Sequence, residues 1–135
     1  MSIITAKEKQ SIFIKSYLKP ILKQHGYLTS GQTWWRDHGE FYIIINLQNF
    51  SWNTQNNVDF CFNIGIALKS QMKDIFKKPT HFNLTIPIRE GSYLPDSRKE
   101  TIYRKKTGYF INQDTDLDIF INEAKIDFEE KFYLN

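Results

Sequence analysis

At 135 residues, the chain is long enough to bury roughly 65–70% of the surface its unfolded form exposes, so folding needs no disulfide, metal or partner. With 41% hydrophobic, 16% aromatic and 24% charged residues and only four prolines, it is too apolar for a disordered segment, and collagen, mucin and coiled-coil architectures are excluded. The longest apolar run, Phe41 to Ile45, falls far short of the ~20 residues that cross a bilayer, so no membrane association is expected.

Net charge is +3, but residues 1–110 carry 16 Lys and Arg against 8 Asp and Glu, while residues 111–135 carry 2 against 7. A basic body followed by an acidic tail can steer charged partners; it also describes a basic domain whose last helix is solvated on its outer face. The N-terminus, Met1-Ser2-Ile3-Ile4-Thr5-Ala6-Lys7, lacks the basic start, apolar stretch and cleavage site of a signal peptide. The single cysteine, Cys61, cannot form an internal disulfide and reads as a buried small residue. Together these features place the expected location in the cytoplasm.

Thr5 followed three residues later by Glu8 is a capping box, and it opens a helix in which Ile14, Leu18, Ile21, Leu22 and His25 share one face. That helix is expected over about Ala6–His25, with Gly26 as its stop and a kink near Tyr17 imposed by Pro20. Thr29-Ser30-Gly31 reads as a turn, Thr33–Arg36 as a short strand, Asp37-His38-Gly39 as a second turn and Phe41–Phe50 as the return strand of a hairpin. After Asn53–Asn57, the residues Val58, Phe60, Phe62, Ile64, Ile66 and Leu68 alternate with Asp59, Cys61, Asn63, Gly65 and Ala67. This period of two demands one core face and leaves a second face of small or polar residues beside which a ligand or neighbour fits closely.

Lys69–Lys78 is expected to form a short helix and Phe82–Arg89 a fourth strand, placed at an edge or bulged because Pro87 lacks a ladder donor. The stretch from Gly91 to Lys106 loses periodicity and reads as a mobile loop, before Gly108–Ile111 offers a last strand. Asp114-Thr115-Asp116 then caps a helix carrying Leu117, Phe120, Ile121, Ala124, Phe128 and Phe132 at helical spacing. The expected fold class is therefore α+β: a single globular domain over residues 1–135, with an antiparallel sheet of about four to five strands covered by an N-terminal and a C-terminal helix.

Several of these segments occur together in a known order. Leu18-Lys19-Pro20-Ile21-Leu22-Lys23-Gln24-His25-Gly26-Tyr27, Asn46-Leu47-Gln48 leading to Ser51-Trp52-Asn53, Phe60 to Asn63-Ile64-Gly65-Ile66, and Ile88-Arg89 with Gly91, Leu94 and Pro95 span about residues 13 to 121. In this order the chain resembles the small bacterial proteins grouped as domain-of-unknown-function family 4304. One departure is Glu90, which separates Arg89 from Gly91 where the family's glycine usually follows sooner. The resemblance implies a stand-alone bacterial cytosolic domain and names no chemistry.

The residues themselves show no catalytic constellation. His25, His38 and His81 lie in separate elements, so no metal ligand set is expected, and no cofactor is implied. The glycines stand singly, without a phosphate loop, and no nucleophile elbow or Cys/His arrangement is present. Asp114, Asp116 and Asp118 read as helix-capping carboxylates rather than a calcium loop, since the later glycine and glutamate are missing. Arg36, Asp37 and Glu40 read as a solvated charge cluster on a hairpin.

Two constellations remain. If strands 41–50, 58–68 and 82–89 are neighbours, Asn46, Gln48, Asn63, Asn83, Thr85 and Arg89 gather on one sheet face, flanked by Trp52 and Tyr93. Such a surface is either a recognition site or an ordinary solvated face. Trp34-Trp35 should bury one indole and leave the other half exposed. The second constellation is the basic loop carrying Arg98, Lys99, Arg104, Lys105 and Lys106 around Tyr103, which suits phosphates or a stacked base but also a solvated loop.

The reading that needs no unseen chemistry is a non-catalytic domain that recognises another protein, of the kind an immunity protein uses to block a toxin by occlusion. The alternatives are nucleic-acid binding through the basic loop at 96–106, and a small-molecule enzyme using Arg89, Asn63 and a carboxylate in a sheet-face pocket. Oligomeric state and strand order are left open by the sequence.

Overall fold

The structure, a computed structural model, describes residues 4–72, 78–80, 83, 88–89 and 108–131. Helix α1 (Ala6–Phe13) starts at the capping box: the Thr5 hydroxyl accepts from the Glu8 N–H at 3.1 Å and the Glu8 carboxylate accepts from the Thr5 N–H at 3.3 Å. Ahead of Pro20, which has no N–H to give, the regular helix is interrupted. It widens into a π turn over Ile14–Leu18, in which the Lys19 N–H reaches back to the Ile14 carbonyl, and then continues as α2 (Lys19–Gln24). The wider turn gives the proline ring room that an α turn denies it, and Ser16 Oγ donates to the Ile12 carbonyl at 2.6 Å. At the other end Gly26, with φ +87°, lets its own N–H and that of Tyr27 return to the carbonyls of Lys23 and Leu22, the left-handed stop expected of glycine.

Among the described residues six strands follow, all paired antiparallel: β1 (Leu28–Ser30), β2 (Thr33–Asp37), β3 (Phe41–Asn49), β4 (Asn57–Leu68), β5 (Ile88–Arg89) and β6 (Tyr109–Asn112). They run in the order β1-β2-β3-β4-β5, with β6 also pairing with β4. Strand β4 is thus the hinge of the sheet, with β3 along one side and both β5 and β6 along the other. This α+β arrangement matches the expected class, with one strand more than the sequence suggests. Thr29 and Ser30 belong to β1 rather than to a turn, because the turn itself lies one step later, at Gly31 (φ +61°) and Gln32 between the paired Ser30 and Thr33. Lys69–Gln71 forms only a 3₁₀ turn where a longer helix is expected, since Met72 is already extended; residues 73–77 lie outside the described residues.

Helix α3 (Leu117–Ile126) is capped by Asp116, whose Oδ1 accepts from the Ile119 N–H at 3.1 Å, and runs on as a π turn over Asp127–Lys131. The α1–α2 segment and α3 lie on one sheet face. Between them and the strands lies an aromatic core: Phe13 meets Phe120 edge-on at 5.2 Å, Phe62 meets Phe128 edge-on at 4.9 Å, and Trp34, Phe60 and Tyr109 are fully buried with them. Each such ring contributes on the order of 1.5–3 kcal/mol through burial. Two polar groups enter this layer satisfied. Tyr109 donates its hydroxyl to Asp127 at 2.8 Å, and the buried Lys9 ammonium donates to the carbonyls of Asn112, Gln113 and Thr115 at 3.2, 2.6 and 2.7 Å.

Part of the face turned away from the helices is buried too. Trp35, Ile44 and Ala67 are buried there in a second apolar cluster joined by Tyr42 and Met72. This corrects the expectation for the tryptophan pair: alternation sends Trp34 to one face and Trp35 to the other, and both faces are core, so neither indole is half exposed.

Candidate recognition surface on the sheet

The register defines the second face row by row. Thr33, Asn46 and Asn63 are cross-strand partners on β2, β3 and β4, and Arg89 on β5 is the partner of Asn63. One row along, Gln48 faces Cys61; the row beyond contains Asp59, opposite Phe110. On the other side, Trp35 pairs with Ile44, which pairs with Gly65. A band of amides therefore separates an apolar end from an end that carries a carboxylate.

The amides are tied to one another. Asn46 is 7% exposed, and its Nδ2 donates to Thr33 Oγ1 at 3.0 Å. Its Oδ1 accepts from Asn63 Nδ2 at 3.2 Å, and the same Asn63 nitrogen donates to Gln48 Oε1 at 3.1 Å. That usage leaves the Asn63 carbonyl and the Gln48 amide nitrogen without a partner among the described residues. Asn63 is half-buried and Gln48 exposed, so one acceptor and one donor stand at the open end of a network whose buried end is satisfied. The Cys61 thiol, buried beneath, lies 3.9 Å from Gln48 Oε1.

At the carboxylate end, Trp52 is 55% exposed and lies flat on Phe50, with ring centroids 4.7 Å apart and planes 2° apart. Its Nε1 donates to Asp59 Oδ2 at 2.6 Å. Asp59 is 2% exposed and its Oδ1 has no partner among the described residues. Asn53 brackets the same residue: its amide donates to the Asp59 carbonyl and accepts from the Asp59 N–H, both at 2.8 Å. At the opposite end of the face, Lys69 pairs with Asp37 at 2.9 Å and places its ammonium 4.8 Å from the centre of the Tyr42 ring. The Lys69 hydrogen bond, followed by that of the Gly39 N–H, holds the Asp37 carboxyl below the usual aspartate range. On the helix side, burial pushes the Tyr27 hydroxyl above the usual phenol value, partly offset by Arg36.

Of the residues singled out from the sequence, Asn46, Gln48 and Asn63 are brought together, Arg89 joins their row by register, and Trp52 stands at the end of the same hairpin. Asn83 does not join them. It sits in a 3₁₀ turn, where its N–H donates to the Thr80 carbonyl at 2.9 Å and its Oδ1 accepts from the Thr80 N–H at 2.8 Å. A residue committed to closing a turn on Thr80 does not lie on a strand; of the expected strand 82–89 the described residues show Ile88–Arg89, and residues 82 and 84–87, with Pro87 among them, lie outside the described residues. Thr85, Tyr93 and the basic loop with Arg98, Lys99, Arg104, Lys105 and Lys106 lie outside the described residues. Asp59 was not singled out, although its position in the alternation of β4 marks it: it is the one carboxylate among the small and polar residues of that face. Thr33 and Asn53 likewise emerge only from the register and the turn geometry.

The match to known proteins bears on these same segments. The family model for a domain of unknown function, DUF4304, matches residues 18–133. The chain belongs to this DUF4304 family. The matched span takes in α2, all six strands and α3. No curated protein and no solved structure matches the chain. Among the described residues, no group of three or more His, Cys, Asp or Glu is placed to hold a metal ion, and no helix is long and apolar enough to cross a membrane.

Proposed function

We propose that this chain is a protein-recognition domain that engages its partner in the cytoplasm through Trp52 and the open end of the amide band, and that it acts by occlusion, as an immunity protein does against a toxin. The observation that carries this reading is Trp52. An indole that is 55% exposed, yet stacked on Phe50 and hydrogen-bonded to a buried carboxylate, surrenders little side-chain entropy on binding. That is the property of an interface anchor. The Gln48 amide and the Asn63 carbonyl supply one donor and one acceptor for polar groups of the partner. The carboxylate that β4 itself places on this face, Asp59, is four residues from Asn63, or ~13 Å at ~3.3 Å per residue, too far for the two to act on one reacting atom, and Asp37 at the other end of the face is paired with Lys69; this favours occlusion over catalysis at the amide band.

The test is capture of partners from the native host by tagged protein at low and high salt, with nuclease treatment in parallel, using wild type and the variants Trp52→Ala and Gln48→Ala/Asn63→Ala. The expected result is one stoichiometric protein that survives salt and nuclease and is lost at least tenfold with Trp52→Ala. Capture of nuclease-sensitive material alone would instead support nucleic-acid binding through residues 96–106. A protein retained equally by wild type and both variants would refute the assigned surface.

A further inference from the structure

The carboxylate end of the second sheet face is framed by aromatic residues. Asp59 is the cross-strand partner of Phe110 on β6. On its other side the Phe50 N–H prolongs the β3–β4 ladder by donating to the Asp59 carbonyl at 3.2 Å. Residues directly opposite one another hold their side chains on the same face of a sheet, so Phe110 flanks the carboxylate. Trp52, stacked on Phe50, reaches that carboxylate from the hairpin end through its Nε1.

The charge of Asp59 is poorly compensated. The residue is 2% exposed; Oδ2 takes one indole hydrogen at 2.6 Å, and Oδ1 takes none from the described residues. The ion pair among those residues joins Lys69 to Asp37 at the far end of the face, and the cations seated on rings are Lys69 on Tyr42 and Arg36 on Tyr27. No described cation therefore balances Asp59. A carboxylate withdrawn from water and held by one neutral donor still attracts positive charge. Solvent meets it through Trp52, whose edge N–H is spent on Asp59 and whose inner face is spent on Phe50. Because the residue is 55% exposed, its open surface is the outer face of the ring. An N–H donating to an anion polarises its own ring, adding to the negative potential that an indole already presents above its plane.

We infer that the outer face of Trp52 seats a cation, and that in the partner proposed above this cation is an arginine side chain. A guanidinium is planar like the indole it covers and more weakly hydrated than an ammonium, so it leaves water at lower cost. This inference rests on the reading of Trp52 as the anchor, and names the chemistry of the group that the anchor meets.

The probes are three acetylated and amidated tripeptides, Gly-Arg-Gly, Gly-citrulline-Gly and Gly-Lys-Gly, titrated into ¹⁵N-labelled full-length protein by NMR. Citrulline keeps the plane and length of arginine without its charge. The Trp52 indole N–H is the reporter, and the buried Trp34 and Trp35 are internal controls. At equal concentration in low salt, the arginine peptide is expected to move the Trp52 resonance about two- to fivefold further than the citrulline peptide, the range a cation on an exposed ring supplies. The lysine peptide should move it less than the arginine peptide. Asp59→Asn keeps an acceptor for the indole but removes the charge, and should at least halve the arginine-to-citrulline ratio. Trp52→Leu, at an exposed position, should abolish the shift that the arginine peptide causes at the Asn53 amide.

Equal responses to arginine and citrulline, a lysine response equal to that of arginine, or an unchanged ratio in folded Asp59→Asn overturns the inference. If Asp59→Asn does not fold, a shift at Asn53 that persists in Trp52→Leu overturns it instead. These outcomes are separable from those of the capture experiment. A host protein lost with Trp52→Ala, together with peptides that show no charge preference, removes the arginine and leaves the recognition surface. A charge-selective response of Trp52 with no captured protein upholds the cation seat and removes the recognition domain.

Discussion

Lys9→Met tests how the helical layer is fastened to the sheet. The Lys9 ammonium, on a side chain that is 7% exposed, donates to three carbonyls in the connection between β6 and α3. Methionine keeps the length and apolar stem but no donor. The Asn112 carbonyl retains the Thr115 N–H at 3.3 Å, so the loss falls chiefly on Gln113 and Thr115. Each orphaned acceptor costs ~1–3 kcal/mol, about 2–6 kcal/mol together. Against this, methionine escapes the desolvation that the buried ammonium incurs, and water entering the partly buried site recovers part of the loss. The expected destabilisation is about 3 kcal/mol. With an unfolding entropy of ~2.1 cal/mol/K per residue over 135 residues, that corresponds to a fall in Tm of roughly 10 °C. Urea melts and calorimetry measure it, with Lys7→Met, an exposed position two residues earlier, expected within ~0.5 kcal/mol of wild type. A loss below ~1 kcal/mol in Lys9→Met would refute the assignment of the three bonds as the tie between α1 and the α3 connection.

Trp52→Phe preserves an aromatic ring over Phe50 but removes the only donor to the Asp59 carboxylate among the described residues; an expected cost of about 2–3 kcal/mol should shrink in an Asp59→Leu background, and strict additivity in that double-mutant cycle would exclude the coupling. Gly108→Ala places a Cβ 2.5 Å from the Phe60 carbonyl oxygen at φ +133°. Its destabilisation, from strain and displacement of β6, should exceed ~2 kcal/mol, whereas Gly39→Ala, with open space around the Cβ position at φ +89°, should cost only ~1 kcal/mol; equal costs would contradict this. The Asp37 carboxyl, held low by Lys69 and the Gly39 N–H, should titrate by ¹³C NMR below the ordinary aspartate midpoint. Its small contribution is therefore complete above the unfolded-state pKa and is lost as pH falls through the lowered folded value; Lys69→Met should move the midpoint upward, and an unmoved midpoint would disprove the pairing.

What the sequence discloses most clearly is whatever local chemistry alone decides. The Thr5/Glu8 box, the Asp116 cap and the alternation from Val58 to Leu68 each follow from short-range rules, and each stands where those rules place it. Pro20 announces a disturbance but not its form, since a missing N–H is accommodated equally by a kink or by the π turn that forms. Features that depend on a distant partner are not legible. Lys9 looks like any solvent-facing lysine of an amphipathic helix until β6 and α3 bring carbonyls more than a hundred residues away to its ammonium. One indole of the Trp34–Trp35 pair looks half exposed until Ile44 and Ala67 give the Trp35 face a second core. Asn83 fits a period of two, but an asparagine three residues after a threonine fits a side-chain-closed turn equally well, and the Thr80 contacts decide it.

The amide band owes its rigidity to the same double coverage. A sheet with one solvated face leaves its outward amides free to exchange partners with water. Here the band is flanked by the Trp35–Ile44–Ala67 cluster on one side and the Trp52–Asp59 pair on the other, and Asn46 is buried in the middle of it. Asn46 Nδ2 donates to the Gln32 carbonyl at 3.4 Å as well as to the Thr33 hydroxyl; a carbonyl can only accept, so this contact sets the amide orientation, and that choice propagates through Asn46 Oδ1 and Asn63 Nδ2 to Gln48 Oε1. The donor and acceptor left at the accessible end therefore have fixed polarity: a nitrogen on Gln48 and an oxygen on Asn63. A partner of the proposed kind would meet a preset pattern, and reversing it in place would take the Asn46 nitrogen from the Gln32 carbonyl, at ~1–3 kcal/mol for a polar group left unpaired. The polarity of this surface thus originates in the buried Asn46 rather than in the exposed Gln48.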